Sequence, residues 1–259
     1  MSSQLFVGNN VDVMSREILD NSIQLTVTSP PYDNLRKYNG FTWDFEGVAK
    51  ELHRVTKPGG VVVWVVGDAT VNGSETGTSF KQALYFKECG FNLHDTMIYE
   101  KDGISFPDAN RYQQSFEYMF VFSKGKPLFN PIADHKNVSF GRKVTGTDRD
   151  ADGTTRKAAC FGQLIKEFGV RWNVWRFKSV KGNGERKHPA AFPEDLPRDH
   201  ILSWSNPGDT VLDPFVGSGT TGKMSVINGR DFIGIDISPE YIEITNKQIE
   251  ESVHDTQHR

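Results

Sequence analysis

The sequence predicts an α/β fold built on a doubly wound, mostly parallel sheet. Three observations predict it. Short apolar, β-branched or aromatic runs recur at 4–7, 23–28, 61–66, 96–99, 117–122, 210–213 and 232–236, and runs that are apolar on both faces are buried strands. Segments of helical period, 45–55, 79–89, 196–203, 220–228 and 239–253, lie among them. Helices alternating with buried strands imply a parallel sheet covered on both faces. Third, unusual turn chemistry follows two of the strands, at the end where open α/β sheets bind ligands.

Taken in order, 4–7 is the first strand, and Asp12 beyond it can cap a helix or join a site. The strand 23–28 runs into Ser29-Pro30-Pro31-Tyr32. This turn offers a small hydroxyl, a proline-stiffened carbonyl and an aromatic face. Those groups can stack a planar base and accept hydrogen bonds from its exocyclic amino group. The loop 33–43, with Arg36, Lys37, Tyr38 and Trp43, can close over such a base. Thr78 or Ser79 can cap the helix 79–89, and Gly90 and Gly229 stand where helices end. In 117–122, Tyr118, Phe120 and Phe122 alternate with Met119 and Val121, which makes the strand internal.

Residues 126–187 break the rhythm. The stretch 141–153 is polar and glycine-rich and predicts a mobile loop. Residues 171–177 interleave Arg171 and Arg176 with Trp172, Trp175 and Phe177. Such a run is either a strand with core aromatics or a module contacting bases and backbone, and the surrounding charge favours the second. From Lys136 to Lys187 there are thirteen Lys/Arg against five Asp/Glu, a local excess of +8 in a chain of net charge −3. Phosphate contact depends on a local patch, so Arg142, Lys143, Arg171 and Arg176 are candidate DNA contacts together with Arg36 and Lys37.

The second turn is Asp213-Pro-Phe-Val-Gly-Ser-Gly-Thr-Thr221. A phosphate-binding P-loop needs Ser or Thr after its lysine, and Met224 follows Lys223. A nicotinamide site fits Asp236 at the end of the next strand, but it leaves the Pro-Pro-Tyr turn unexplained. Glycines after a strand admit a ligand to the backbone, and the helix N-terminus at Thr220 and Thr221 offers N–H groups to an anion. Asp236 can accept from ribose hydroxyls, and Asp213 can face an ammonium or sulfonium. A nucleoside carrying a carboxylate and a positive charge fits best. S-adenosylmethionine is such a molecule.

The longest purely apolar stretch, 61–66, is far too short to span a bilayer. The N-terminal residues lack signal-peptide features, so a cytoplasmic chain without a membrane partner is expected. Cys89 and Cys160 stand far apart, in neither disulfide nor zinc spacing, and no metal is expected.

Ser29-Pro-Pro-Tyr32 followed by Asp213-Pro-Phe-Val-Gly-Ser-Gly-Thr-Thr221 resembles the amino-directed DNA methyltransferases of the permuted β class. There the catalytic motif precedes the cofactor motif, with target recognition between. The resemblance extends to 52–60, 117–125, His188-Pro-Ala-Ala-Phe-Pro193 and 232–236. It implies an S-adenosylmethionine-dependent methyltransferase fold with a catalytic half at 1–125, a target-recognition insert at 126–187 and a cofactor half at 188–259. It makes Ser29, Pro30, Pro31 and Tyr32 catalytic. It assigns Asp213, Phe215, Gly217, Gly219, Thr220, Thr221, Asp236, His188 and Phe192 to S-adenosylmethionine, although Phe215 and Phe192 serve equally as core.

The implied reaction is methyl transfer to the exocyclic amine of a base flipped out of double-stranded DNA. Serine before Pro-Pro leans towards cytosine N4, with adenine N6 as the alternative. Neither cysteine follows a proline, which argues against attack on cytosine C5. RNA or a protein amide is a further substrate class, and a degenerate binding protein a non-enzymatic one. The partners implied are duplex DNA, a cognate restriction endonuclease where one accompanies the enzyme, and either a monomeric or a homodimeric state.

Overall fold

The computed structural model describes residues 2–31, 43–103, 109–178 and 193–257. The elements run β1 (Ser3–Val7), α1 (Asn10–Glu17), β2 (Ile23–Thr28), α2 (Phe45–Val55), β3 (Thr56–Val66), β4 (Thr70–Val71), β5 (Ser74–Glu75), α3 (Thr78–Glu88), β6 (Asn92–Lys101) and β7 (Phe116–Ser123). They continue with β8 (His135–Lys136), β9 (Thr147–Arg149), β10 (Thr155–Lys157), β11 (Phe168–Gly169), β12 (Val174–Phe177), α4 (Asp195–Trp204), β13 (Thr210–Asp213), α5 (Thr220–Ile227), β14 (Asp231–Asp236) and α6 (Pro239–Gln257). Contacts divide the chain into two compact units, Met1–Asn130 with Asn173–Arg259, and Pro131–Trp172.

The larger unit holds an eight-stranded sheet in the order β1-β14-β13-β2-β3-β7-β6-β12. Only β7 runs antiparallel to its neighbours, β3 and β6. It is internal, as its two-sided aromatic pattern requires. The period-two alternation of β3 divides the core. Val61, Val63 and Val65 face Leu196, Ile201, Met224 and Ile249 of α4, α5 and α6. Val62, Trp64 and Val66 face Met14, Leu52 and Phe86 of α1, α2 and α3. In α2 the buried Val48, Ala49, Leu52 and Val55 make one helical stripe, and Asp44 caps the start by accepting from the Gly47 amide at 3.0 Å.

Several elements depart from the sequence expectation. The helix α1 was expected only in so far as Asp12 could cap one. Asn9 caps it by accepting from the amides of Val11 and Asp12. Asp12 is therefore no cap; it is exposed in the first turn, where its charge favours the helix dipole. At α3 neither Thr78 nor Ser79 is the cap residue. Gly77 holds that place, and Asp68 accepts from the Ser79 amide at 2.9 Å.

Two further departures lie in the segment expected to contact DNA. Residues 174–177 form β12, parallel to β6, with Trp175 and Phe177 buried. The core reading of those aromatics is the observed one, because the sheet edge offers them more apolar area than solvent would. Trp175 stacks on His200 at 4.6 Å. Within 141–153, expected as a mobile loop, Thr147–Arg149 instead pairs antiparallel with Thr155–Lys157.

The smaller unit is a two-stranded antiparallel ribbon. Its strands pair at β8 with β11, at Lys143 with Leu164, and at β9 with β10. A turn closes its tip, where the Asp150 amide bonds the Thr154 carbonyl at 2.8 Å and Asp152 accepts from the Thr154 amide at 2.9 Å.

Candidate active site

Strand order reverses between β13 and β2. β14 lies beyond one and β3 beyond the other. Crevices outside the carboxyl ends of strands at such a point bind ligands. Both motifs of the sequence converge here. Thr28 ends β2 and Asp213 ends β13, and the Thr28 hydroxyl donates to the Asp213 carboxylate at 2.6 Å. The Ser29-Pro30-Pro31 turn, the candidate catalytic turn, follows at once. Ser29 and Pro31 are half-buried and Pro30 is buried. Tyr32, Arg36 and Lys37 lie outside the described residues, as do His188 and Phe192.

The glycine-rich loop is held from several sides. The Phe215 amide bonds Asp213 at 3.1 Å, the Val216 amide bonds the Ile235 carbonyl at 3.0 Å, and the Gly217 amide bonds Asp236 at 3.0 Å. From α6 the Thr245 hydroxyl donates to the Gly217 carbonyl at 3.1 Å. Asn10 of α1 reaches the Pro214 carbonyl at 3.4 Å. The loop ends at Gly219, whose φ of +86° is left-handed, and a β-carbon there would lie 2.9 Å from the Thr245 Cα. Only glycine brings the chain this close to α6 and into α5 together.

The first turn of α5 is well placed for an anion. Gly219 is its cap residue, and no side-chain cap bond is made among the described residues. Thr220 is half-buried, and the buried Thr221 hydroxyl donates to the Val27 carbonyl at 3.3 Å. Lys223, the lysine of the discarded phosphate-loop spacing, bonds Glu194 at 2.8 Å. Amide donors at a helix start and the accepting carboxylates of Asp236, on the neighbouring strand, and of the buried Asp213 fit the carboxylate, ribose and positive charge of S-adenosylmethionine.

Both acids feel their burial. Burial pushes Asp213 up to about 6, opposed by the hydrogen bonds of Thr28, Phe215 and Thr221. Burial also raises Asp236, opposed by the amides of Ser238 and Gly217. The folded state thus holds the Asp213 proton more tightly than the unfolded chain, whose value is near 3.8. Asp213 therefore lowers stability as pH rises from about 4 to about 6, by roughly 2–3 kcal/mol in full, and by a constant amount above that. Asp213→Asn keeps an oxygen acceptor for Thr28 and Phe215 and can donate to Thr221. Urea melts should show it more stable than wild type at pH 7, with the difference shrinking towards pH 4. Parallel stability–pH curves for the two proteins would contradict this account.

Phe215 is half-buried, with Trp43 edge-on at 5.1 Å and Trp64 at 6.2 Å. Trp43, at the end of the loop read as closing over the base, packs its ring beside Phe215 of the glycine-rich loop, and residues 33–42 of that loop lie outside the described residues. Sequence reasoning gave no role to Thr28, Thr245 or Asn10. Thr28 had a signal, as a hydroxyl one residue before a catalytic turn at a strand end. Thr245 had none, because only the fold brings α6 to the loop.

The proposed DNA contacts fall in both units. Arg176, in β12, pairs with Glu100 at 3.0 Å. Arg171 pairs with Asp134 at 3.0 Å. Arg142 and Lys143 are exposed on the ribbon and have no ion-pair partner among the described residues. Among those residues no group of His, Cys, Asp and Glu could hold a metal ion, and no helix is long and apolar enough to cross a membrane.

Comparison with known proteins agrees with this geometry. A family model described as DNA methylase matches residues 23–247. An orphan methyltransferase of Bacillus amyloliquefaciens, M.BamHII, is 60% identical, the match covering 91% of this chain and 92% of that protein. The DNA adenine methyltransferase YhdJ of Escherichia coli is 28% identical over 92% of this chain and 80% of its own length. Among solved structures, the PvuII DNA methyltransferase, described as cytosine-N4-specific, superposes with a TM-score of 0.71 at 23% identity, covering all of this chain and 92% of that one. The family match spans both halves of the sheet and both motifs that meet at Thr28 and Asp213. This chain belongs to the DNA methylase family and is a DNA amino-methyltransferase that uses S-adenosylmethionine.

Proposed function

We propose that the enzyme methylates the N4 amine of cytosine, flipped out of duplex DNA, at a specific sequence. The observation that carries the site is the Thr28–Asp213 hydrogen bond, which ties the Ser29-Pro30-Pro31 turn to the glycine loop. The choice of cytosine rests on serine before Pro-Pro and agrees with the cytosine-N4 specificity described for the PvuII enzyme. The adenine relative keeps N6 as the alternative.

S-adenosylmethionine supplies an electrophilic methyl group on a sulfonium. The residues do the rest. The Ser29 hydroxyl and the Pro30 carbonyl accept the two N–H bonds of the amine. Its lone pair is delocalised into the ring, and these bonds draw it out. As the N–C bond forms and the S–C bond of the donor breaks to leave a neutral thioether, the nitrogen gains positive charge, and it then gives up one N–H proton to solvent. Tyr32 stacks the extrahelical base. The amides of Thr220 and Thr221 hold the carboxylate of the methyl donor, Asp236 its ribose, and Phe215, with His188 and Phe192, its base. Asp213 holds Thr28 and Phe215 in place and gives negative charge near the sulfonium. Alignment of the two reactants supplies much of the remaining acceleration.

Single-molecule sequencing of DNA from cells expressing the enzyme should report modified cytosine in one short sequence. Modified adenine there would overturn the choice of base. The orphan description of M.BamHII favours action without a nuclease partner. Asp236→Ala should weaken binding of S-adenosylmethionine by about 1–3 kcal/mol, the usual result of leaving hydroxyl donors unpaired. Unchanged affinity by calorimetry would remove Asp236 from the ribose.

A further inference from the structure

The tip of the ribbon has two unlike faces. In β9 and β10, Thr147 lies opposite Lys157, Asp148 opposite Arg156 and Arg149 opposite Thr155. Directly opposed residues share a face, and successive residues alternate. One face therefore carries Asp148 and Arg156. Its charges are engaged with one another, one arginine between two aspartates, since Arg156 bonds Asp150 at 3.0 Å and lies 4.0 Å from Asp148. The other face carries Thr147, Arg149, Thr155 and Lys157, all exposed and none acidic. Lys157 sits over the Phe161 ring at 4.7 Å. Among the described residues Arg149 has no ion-pair partner.

An exposed arginine flanked by two threonines on a flat hairpin face matches the edge of a base pair rather than a phosphate ridge. Arginine pairs bidentately with guanine, and threonine hydroxyls serve any base edge or pack against a thymine methyl. The major groove, about 12 Å wide, admits a two-stranded β-ribbon. Three residues per strand span about 10 Å, enough to cross two or three base pairs. Behind the tip, Lys136, Arg142, Lys143 and Lys166 are exposed cations without an ion-pair partner among the described residues, placed for the phosphates beside the groove. The unit as a whole carries eight Lys/Arg against five Asp/Glu. Of the acids near the tip, Asp148 and Asp150 flank Arg156 on the opposite face, and Asp152 lies in the closing turn, where it accepts from Thr154; the strand residues of the Arg149 face include no acid.

We propose that the Thr147–Arg149–Thr155 face of this hairpin reads the target sequence in the major groove, with Arg149 on a guanine. The inference rests on the reading of the chain as a sequence-specific DNA methyltransferase.

The test is methylation of a randomised duplex library by the full-length enzyme, read by sequencing, with binding measured over a range of salt. Arg149→Ala should lose discrimination at one guanine of the site by about ten- to a hundredfold while the log–log salt slope stays that of wild type. Arg149→Gln should move the preference at that position towards adenine, the base that glutamine pairs bidentately. Arg156→Ala, on the opposite face, should leave the site preference as it was. Unchanged discrimination in both Arg149 variants would overturn the inference. So would a uniform loss at every sequence with a slope shallower by about one, the mark of a phosphate contact. Failure of the wild type to methylate any duplex would instead overturn the reading beneath it.

Discussion

Ser29→Ala should lower the single-turnover rate of methyl transfer by on the order of 10²-fold, with cofactor affinity unchanged. In the proposed mechanism the hydroxyl accepts from a nitrogen that becomes positive only as the methyl arrives. Its contribution therefore grows along the reaction and is small in the bound ground state. The fold itself should tolerate the change. Pro30 beside it is buried and Thr28 before it is anchored on Asp213, so both neighbours hold the turn. Rapid quench with labelled S-adenosylmethionine measures the rate directly. An undiminished single-turnover rate would remove Ser29 from the chemistry.

Gly219→Ala should act on the other reactant. The left-handed backbone of Gly219 disfavours a β-carbon by about 1–2 kcal/mol. The added methyl would also meet the Thr245 Cα at 2.9 Å, and backbone cannot swing aside as a side chain can. Overpacking of this kind costs about 1–3 kcal/mol more. Either α6 shifts or the start of α5 turns away, and both displace the amides of Thr220 and Thr221. Calorimetry should show affinity for S-adenosylmethionine down by at least about 10²-fold, the equivalent of about 3 kcal/mol, with a lowered melting temperature. A folded variant that binds as wild type does would show that the amides at the start of α5 do not hold the ligand.

The sheet was legible because its strands are buried on both faces. Uninterrupted apolar runs such as 61–66 leave few other structures open. The two motifs were legible because proline and glycine clusters at strand ends have few structural uses. What the sequence concealed depended on tertiary contact. The helix α1 is short, and its asparagine cap resembles a loop until Val13 and Met14 are seen to pack on the sheet. The arginines and aromatics of 171–177 looked like one surface. The sheet edge sorted them instead, taking Trp175 and Phe177 into the core and leaving Arg176 outside. Positive charge near an aromatic run is thus weak warning of a nucleic-acid contact when the same aromatics fit strand period two. The hairpin tip escaped notice for the opposite reason. Its strands are wholly exposed, so no apolar alternation marks them.

The transfer of a methyl group to an amine of cytosine is tested most directly by mass spectrometry of nucleosides. Duplex DNA would be incubated with the enzyme and S-adenosylmethionine carrying a deuterated methyl group, then digested. The label should appear as N4-methylcytosine and should fall with Ser29→Ala in proportion to the rate. Label on cytosine C5, or none on any nucleoside, would contradict the role given to the Ser29-Pro30-Pro31 turn beside Asp213.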